Sequence, residues 1–166
     1  MAVDMFLKML PLKGEAQDQD HKWEIEVLAW SWGKSQTGAT HSGPSGGASD
    51  TGRKVSIQDL IFTHNVDLAS SDLDKACCLG QHFRDALLTV RKAGGASAHL
   101  EYVKIKLYNV IITSVAVSGS TGAEHLTESV TLNFQKYHYQ YTQQMPDGTA
   151  GAKPNFGWDI ARNTEW

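Results

Sequence analysis

The stretch LTESVTLNFQKYHYQY, residues 126–141, carries the reading of the fold. In its first half Leu126, Val130, Leu132 and Phe134 are apolar, while Thr127, Ser129, Thr131, Asn133 and Gln135 are polar and uncharged. A side-chain period of two belongs to a β-strand with one buried face. In the second half the parity changes, to Tyr137, Tyr139 and Tyr141. Such a switch needs either a β-bulge or a strand that buries opposite faces at its two ends. Both suit a curved, closed sheet whose outer face is partly covered by a helix or by another subunit.

The same pattern extends outward along the chain. Strands are expected near residues 2–9, 23–33, 54–65, 86–93, 99–117, 125–142 and 155–160, separated by Gly-rich turns at 94–95, 118–122 and 146–148. Parity switches recur: Trp23, Ile25 and Val27 give way to Leu28, Trp30 and Trp32, and Val55 and Ile57 to Leu60 and Phe62. One helix is expected over 72–79, with Ser71 and Asp74 as a capping-box-like start and Gly80 as a left-handed stop. The segment 38–52, GATHSGPSGGASDTG, is too rich in Gly, Ser and Thr to pack and reads as a long loop. The fold class is mainly β, a β-barrel of antiparallel strands with one short flanking α-helix, in a single domain over 1–166.

Composition narrows the function. The 166 residues carry 15 Lys+Arg against 18 Asp+Glu, and 41% are hydrophobic. A chain of this mass buries about 69% of its surface on folding, enough for a core without disulfides. No run of basic residues exceeds two, so there is no electrostatic track for nucleic acid. The two cysteines, Cys77 and Cys78, are adjacent and read as small helix residues rather than a disulfide framework. The N-terminal MAVDMFLKMLPLKGE has no basic leading region and is broken by Lys8 and Pro11, unlike a signal peptide. No apolar run is long enough to span a bilayer.

Motifs for catalysis fail on context. Gly43-Pro44-Ser45-Gly46-Gly47 satisfies G-x-S-x-G but lies in the loop rather than at a strand-to-helix elbow. Residues 47–54, GASDTGRK, approach a phosphate loop, yet Arg53 stands where Lys is needed and a strand follows. The seven histidines are scattered singly, with no spacing that puts two on one metal. No catalytic residue, metal or cofactor is expected. The uncharged side of the 126–134 strand is the unusual feature, since a solvent-facing strand ordinarily carries more Lys and Glu. Ala29, Ser31 and Gly33, between the tryptophans, repeat it. Such a face suits a wet interior surface.

The chain resembles the haemolysin-coregulated proteins (Hcp), the inner-tube subunits of the bacterial type VI secretion system, which are similar in fold to phage tail tube proteins. The resemblance rests on AVDMFLK at 2–8, KGE at 13–15, VLAWSWG at 27–33, QDLIFT at 58–63, LTVRKAGG at 88–95, LTESVTLNF at 126–134 and FGWDI at 156–160. It implies a barrel subunit assembled into a hexameric ring with a central channel. Rings stack into a tube that a contractile sheath drives out behind a trimeric spike, with effector proteins held in the lumen. It also implies a non-enzyme that is cytoplasmic when assembled and then secreted without a signal peptide.

A ring uses one patch against a different patch of the next copy, and its closure covers sheet edges. On this basis Leu60, Phe62, Tyr137 and Tyr139 are the expected ring interface, and Ala29 and Ser31, with Thr131 and Asn133, the expected lumen face. The loop with Gly43, Ser45, Gly46 and Gly47 is the expected ring-stacking contact. Phe156, Trp158, Ile160 and Trp166 are expected to dock on the barrel or a neighbour, with cargo as a separate protein. Three other readings compete, among them a phage-like tail tube protein and a small-ligand-binding β-barrel, which needs a closed apolar cavity. A hydrolase assembled from distant strands is the third.

Overall fold

The computed structural model describes residues 3–36, 54–93 and 99–166. In chain order they form β1 (Val3–Lys8), β2 (Ile25–Glu26), β3 (Ala29–Ser31), β4 (Lys34–Ser35), β5 (Ser56–Ile57) and β6 (Leu60–Asn65). After these come α1 (Ser70–Leu79), β7 (His82–Ala93), β8 (His99–Ser118), β9 (Thr127–Tyr141), β10 (Asn155–Asp159) and β11 (Thr164–Glu165). Every ladder is antiparallel, as expected for strands linked by Gly-rich turns.

The main sheet runs β11-β10-β9-β8-β7-β1-β2, with β6 also on β9 and β3 on β6. Along one edge β9 has two partners in succession: Thr127–Leu132 pair with β6, and Lys136–Gln140 with β10. No ladder joins β2 to β6 among the described residues, so the chain itself completes the circuit. The Val27 N–H donates to Met5 O at 2.9 Å, and the next N–H, of Leu28, donates to Thr63 O at 2.8 Å. The parity switch expected across 23–33 is therefore a change of partner, from β1 to β6. Leu28, expected to face inward with Trp30 and Trp32, is 51% exposed at that crossing. In the 54–65 segment the switch again falls between two strands, β5 and β6.

In β9 the switch has another cause. The β8–β9 register runs unbroken from Tyr141 to Leu132, so no bulge lies between Phe134 and Tyr137. Instead the buried parity changes on three neighbouring strands at one line. It passes from Ala86 to Phe83 on β7, from Leu107 to Val110 on β8 and from Tyr137 to Phe134 on β9. Asn109, in the middle, has a φ of 52°, and β9 exchanges β10 for β6 at the same level. The true register shifts lie elsewhere, between Val90 and Arg91 and between Ile112 and Ser114.

The core is built from Leu7, Ile25, Leu60, Phe62, Leu88, Ile105, Leu107, Val130, Leu132 and Tyr137, with Leu73 and Ala76 of α1 packed on it. At roughly 2 kcal/mol for each fully buried large apolar side chain, this burial is the main stabilising term. The helix starts at Ser70, two residues before the expected start, and Ser71 and Asp74 form no capping box. Asp67 and Ser70 organise its entry instead: Asp67 Oδ1 accepts from the Ala69 N–H at 2.8 Å, and Ser70 Oγ from the Asp67 N–H at 2.9 Å. Gly80 ends it at φ 61°, with Gln81 N–H on Ala76 O at 3.0 Å.

Candidate functional site

Cross-strand registers place the small polar residues of four strands on one sheet face. Ser31 on β3 pairs with Ile61 on β6, Ile61 with Thr131 on β9, and Thr131 with Ser114 on β8. The next row is Ala29, Thr63, Ser129 and Ala116, and Asn65, Thr127 and Ser118 form a third. Directly paired residues share a face, so these rows form one continuous surface with no charged side chain. Ala29, Ser31, Ser114, Ala116 and Ser118 are exposed, and Thr63, Thr127, Ser129 and Thr131 are half-buried. On the other side of the same strands Phe62, Val130 and Leu132 point into the core.

All four residues expected on a lumen face are thus accessible, and three lie in these rows. Asn133 continues the β9 column to the edge of the face, where Asp59 holds it. Asn133 Nδ2 donates to Asp59 Oδ1 at 2.8 Å, and Thr113 Oγ1 donates to Asp59 Oδ2 at 3.1 Å. Short hydroxyl-bearing side chains, with Ile61 among them, give a surface that offers weak, exchangeable hydrogen bonds and no strong field.

The expected ring-interface residues are placed differently. Leu60 and Phe62 are fully buried and Tyr137 is 1% exposed, so their side chains belong to the subunit's own core. The correction follows from the circuit: β6 is an interior strand between β3 and β9, and the parity that looked spare faces inward. Tyr139 is half-buried and packs against the core. Exposed apolar side chains gather instead where β6, β8 and β9 end. Val66, Val117 and Leu126 are 40, 60 and 52% exposed, and the Val66 N–H donates to Leu126 O at 2.8 Å. Gly43, Ser45, Gly46 and Gly47 lie outside the described residues.

Two polar constellations escaped the sequence pattern because their members are far apart along the chain. Arg91 on β7, 4% exposed, donates through Nη1 to Asp18 Oδ1 at 2.9 Å, and Nη2 reaches Asp18 and Asp4. The guanidinium hydrogen bond pulls the Asp18 carboxyl down to about 2. This pins the 9–24 excursion onto β1 and β7. The second lies under α1: His64 Nε2 is 2.7 Å from Glu128 Oε1, a close polar contact rather than an aligned hydrogen bond, with both residues essentially inaccessible. Ser70 Oγ donates to the same carboxylate oxygen at 2.6 Å.

The C-terminal residues dock on their own subunit. Trp158 and Ile160 pack against the core, and Trp166 Nε1 donates to Tyr137 O at 3.0 Å with its ring edge-on to Tyr108 at 5.1 Å.

Proteins of known structure share this β-rich fold with one helix. The family described as "Type VI secretion system effector, Hcp" matches residues 6–141. Protein hcp1 of Pseudomonas aeruginosa is 46% identical over 166 residues, covering 99% of both chains. The crystal structure of Hcp1 from Salmonella typhimurium superposes with a TM-score of 0.80 at 36% identity over 100% of both chains. A type VI secretion system effector from Yersinia pestis superposes at 0.75 with 32% identity, over 95% of this chain and 100% of that one. The chain belongs to the Hcp family and is a type VI secretion tube/effector protein.

Proposed function

We propose that copies of this chain close into six-membered rings with an open centre, that rings stack into a tube, and that effector proteins travel in its lumen. The face built from Ala29, Ser31, Thr131 and their row neighbours supports the reading: these rows are uncharged and small apart from Ile61, as suits a channel wall. Such a ring is heterologous, each copy setting one patch against a different patch of the next. Val66, Val117 and Leu126 supply an exposed apolar patch for that contact, with Tyr139 beside it in role. The segment with Gly43, Ser45, Gly46 and Gly47 is proposed for ring stacking. A contractile sheath outside the tube and a trimeric spike at its tip complete the device, which assembles in the cytoplasm and leaves the cell without a signal peptide. In this reading the protein is structural and has no catalytic role.

Negative-stain electron microscopy and native mass spectrometry on one sample test the proposal. Rings of six subunits with an open centre are expected. A monomer that persists when sheath and spike proteins are supplied overturns it.

A further inference from the structure

The His21 imidazole, 6% exposed, lies between two glutamates from segments far apart in the chain. Nδ1 is 2.9 Å from Glu24 Oε2 at the end of the 9–24 excursion, and Nε2 is 3.0 Å from Glu101 Oε1 on β8. The imidazole also stacks on Phe6 of β1, with ring centroids 4.4 Å apart and an interplanar angle of 7°. One side chain thus bridges the excursion, β1 and β8.

A neutral imidazole cannot donate to both glutamates. An ionised carboxylate only accepts hydrogen bonds, and a neutral imidazole has a single N–H, so its other nitrogen would aim a lone pair at an anion. Only the imidazolium donates on both sides, through two charge-assisted bonds. Burial opposes ionisation of Glu101, but Lys104 on its other oxygen and His21 outweigh this and hold the carboxyl below the ordinary glutamate range.

The surrounding charges favour a proton at this position. Asp18 accepts from the His21 backbone N–H at 3.3 Å, and Asp18 and Asp4 share Arg91. With a neutral imidazole, Asp4, Asp18, Glu24 and Glu101 stand against two cations, Arg91 on β7 and Lys104 on β8, and an imidazolium offsets half of that excess. Asp20 and Lys153, which border the adjoining cleft with Glu101, cancel one another, and His99 is a second titratable group there.

We propose that His21 is a proton-operated latch: as imidazolium it ties the 9–24 excursion to β8 through Glu24 and Glu101, and on losing a proton it releases one of the two. Histidine is the side chain that ordinarily changes charge between pH 5 and 8. The tie is complete at mildly acidic pH, where both carboxylates accept, and weakens as pH rises through the imidazolium's titration. The latch is separate from the small-residue face and does not depend on the tube reading.

Long-range ¹H–¹⁵N spectra of the full chain, labelled at its seven histidines, distinguish an imidazolium, whose two nitrogens are alike, from a neutral imidazole, whose nitrogens differ. His21→Gln assigns the His21 signals. Between pH 9 and 5 His21 should pass from the neutral to the doubly protonated pattern. Over the same range the Trp23 amide, which donates to Ala16 O at 3.0 Å within the excursion, should become about fivefold better protected from hydrogen exchange after correction for the intrinsic rate. Glu101→Gln keeps an acceptor and removes the charge, so it should move the His21 titration to lower pH and remove most of the change in protection. The other six histidines report whether that variant folds, and Glu24→Gln should give the same displacement independently. A His21 that does not change charge between pH 9 and 5 overturns the proposal, as does a titration that neither variant moves. A titration with no change in Trp23 protection also overturns it, and leaves His21 as a packing residue.

Discussion

Asn109 Nδ2 donates to Gln135 Oε1 at 3.0 Å across the β8–β9 ladder, at the level where three strands change their buried parity together. The φ of 52° at Asn109 is one that L-residues other than Asn and Asp seldom adopt. Asn109 is exposed, so its conformation and its side-chain bond, rather than packing, account for its role. Asn109→Ala should destabilise the subunit by about 1–2 kcal/mol, while Asn109→Gly, which relieves the strain, should cost less. Urea unfolding of the two variants against the parent chain measures the difference.

The Arg91–Asp18 pair makes stability acid-dependent in a defined window. The Asp18 carboxyl titrates near 2 in the folded chain against 3.8 ordinarily, so the pair's contribution is complete above pH 3.8 and is lost as pH falls towards 2. Asp18→Ala should lower stability by about 2 kcal/mol at neutral pH and flatten the acid limb between those values. Thermal melts from pH 2 to 7 check both effects.

Glu128 contacts His64 Nε2 and accepts from Ser70 at the start of α1, while Asp67 Oδ2 lies 3.7 Å from His64 Nδ1. Glu128→Ala leaves the buried His64 Nε2 without its carboxylate and the Ser70 hydroxyl without its acceptor, and should cost about 1–3 kcal/mol. His64→Leu combined with Glu128→Leu should recover much of that loss, because replacing both members of a buried polar pair by apolar groups leaves neither partner unsatisfied. Denaturant titrations of single and double variants form the cycle.

Gly157 has no room for a side chain: a Cβ there would lie 2.7 Å from the Trp166 carbonyl oxygen. Gly157→Ala should therefore release β11 and the Trp166 indole, while the core strands stay folded. Tryptophan emission should shift to the red with little change in far-ultraviolet circular dichroism.

Ser31 is exposed on the small-residue face, so Ser31→Tyr should change stability by no more than about 0.5 kcal/mol. On the tube reading, rings should still form and an effector that copurifies with the parent chain should be lost. A misfolded Ser31→Tyr subunit would instead place Ser31 in the core.

Period-two alternation made β1, β7, β8, β9 and β10 legible within a few residues, because a strand's inside/outside pattern is local. The left-handed Gly80 stop was legible for the same reason. Ala29, Ser31, Thr131 and Asn133 stood out because they are small and uncharged where charge is usual. The joining of Ser31, Ile61, Thr131 and Ser114 into one row was not legible, since register between strands up to a hundred residues apart is set by packing. Leu60, Phe62 and Tyr137 misled because an apolar residue in a strand looks the same whether it faces its own core or a neighbouring subunit.

The sequence by itself determined a β-rich chain with one short helix and an uncharged strand face, because residue type and local period specify those features, and its motifs carried the resemblance to the Hcp family. Tertiary structure alone decided which parity faces the core, and that Arg91 is held by Asp4 and Asp18 and Glu128 by Ser70 and His64. It also decided that Val27 and Leu28 close the circuit between β1 and β6. Those outcomes depend on cross-strand register and desolvation, which become defined only when distant segments pack together.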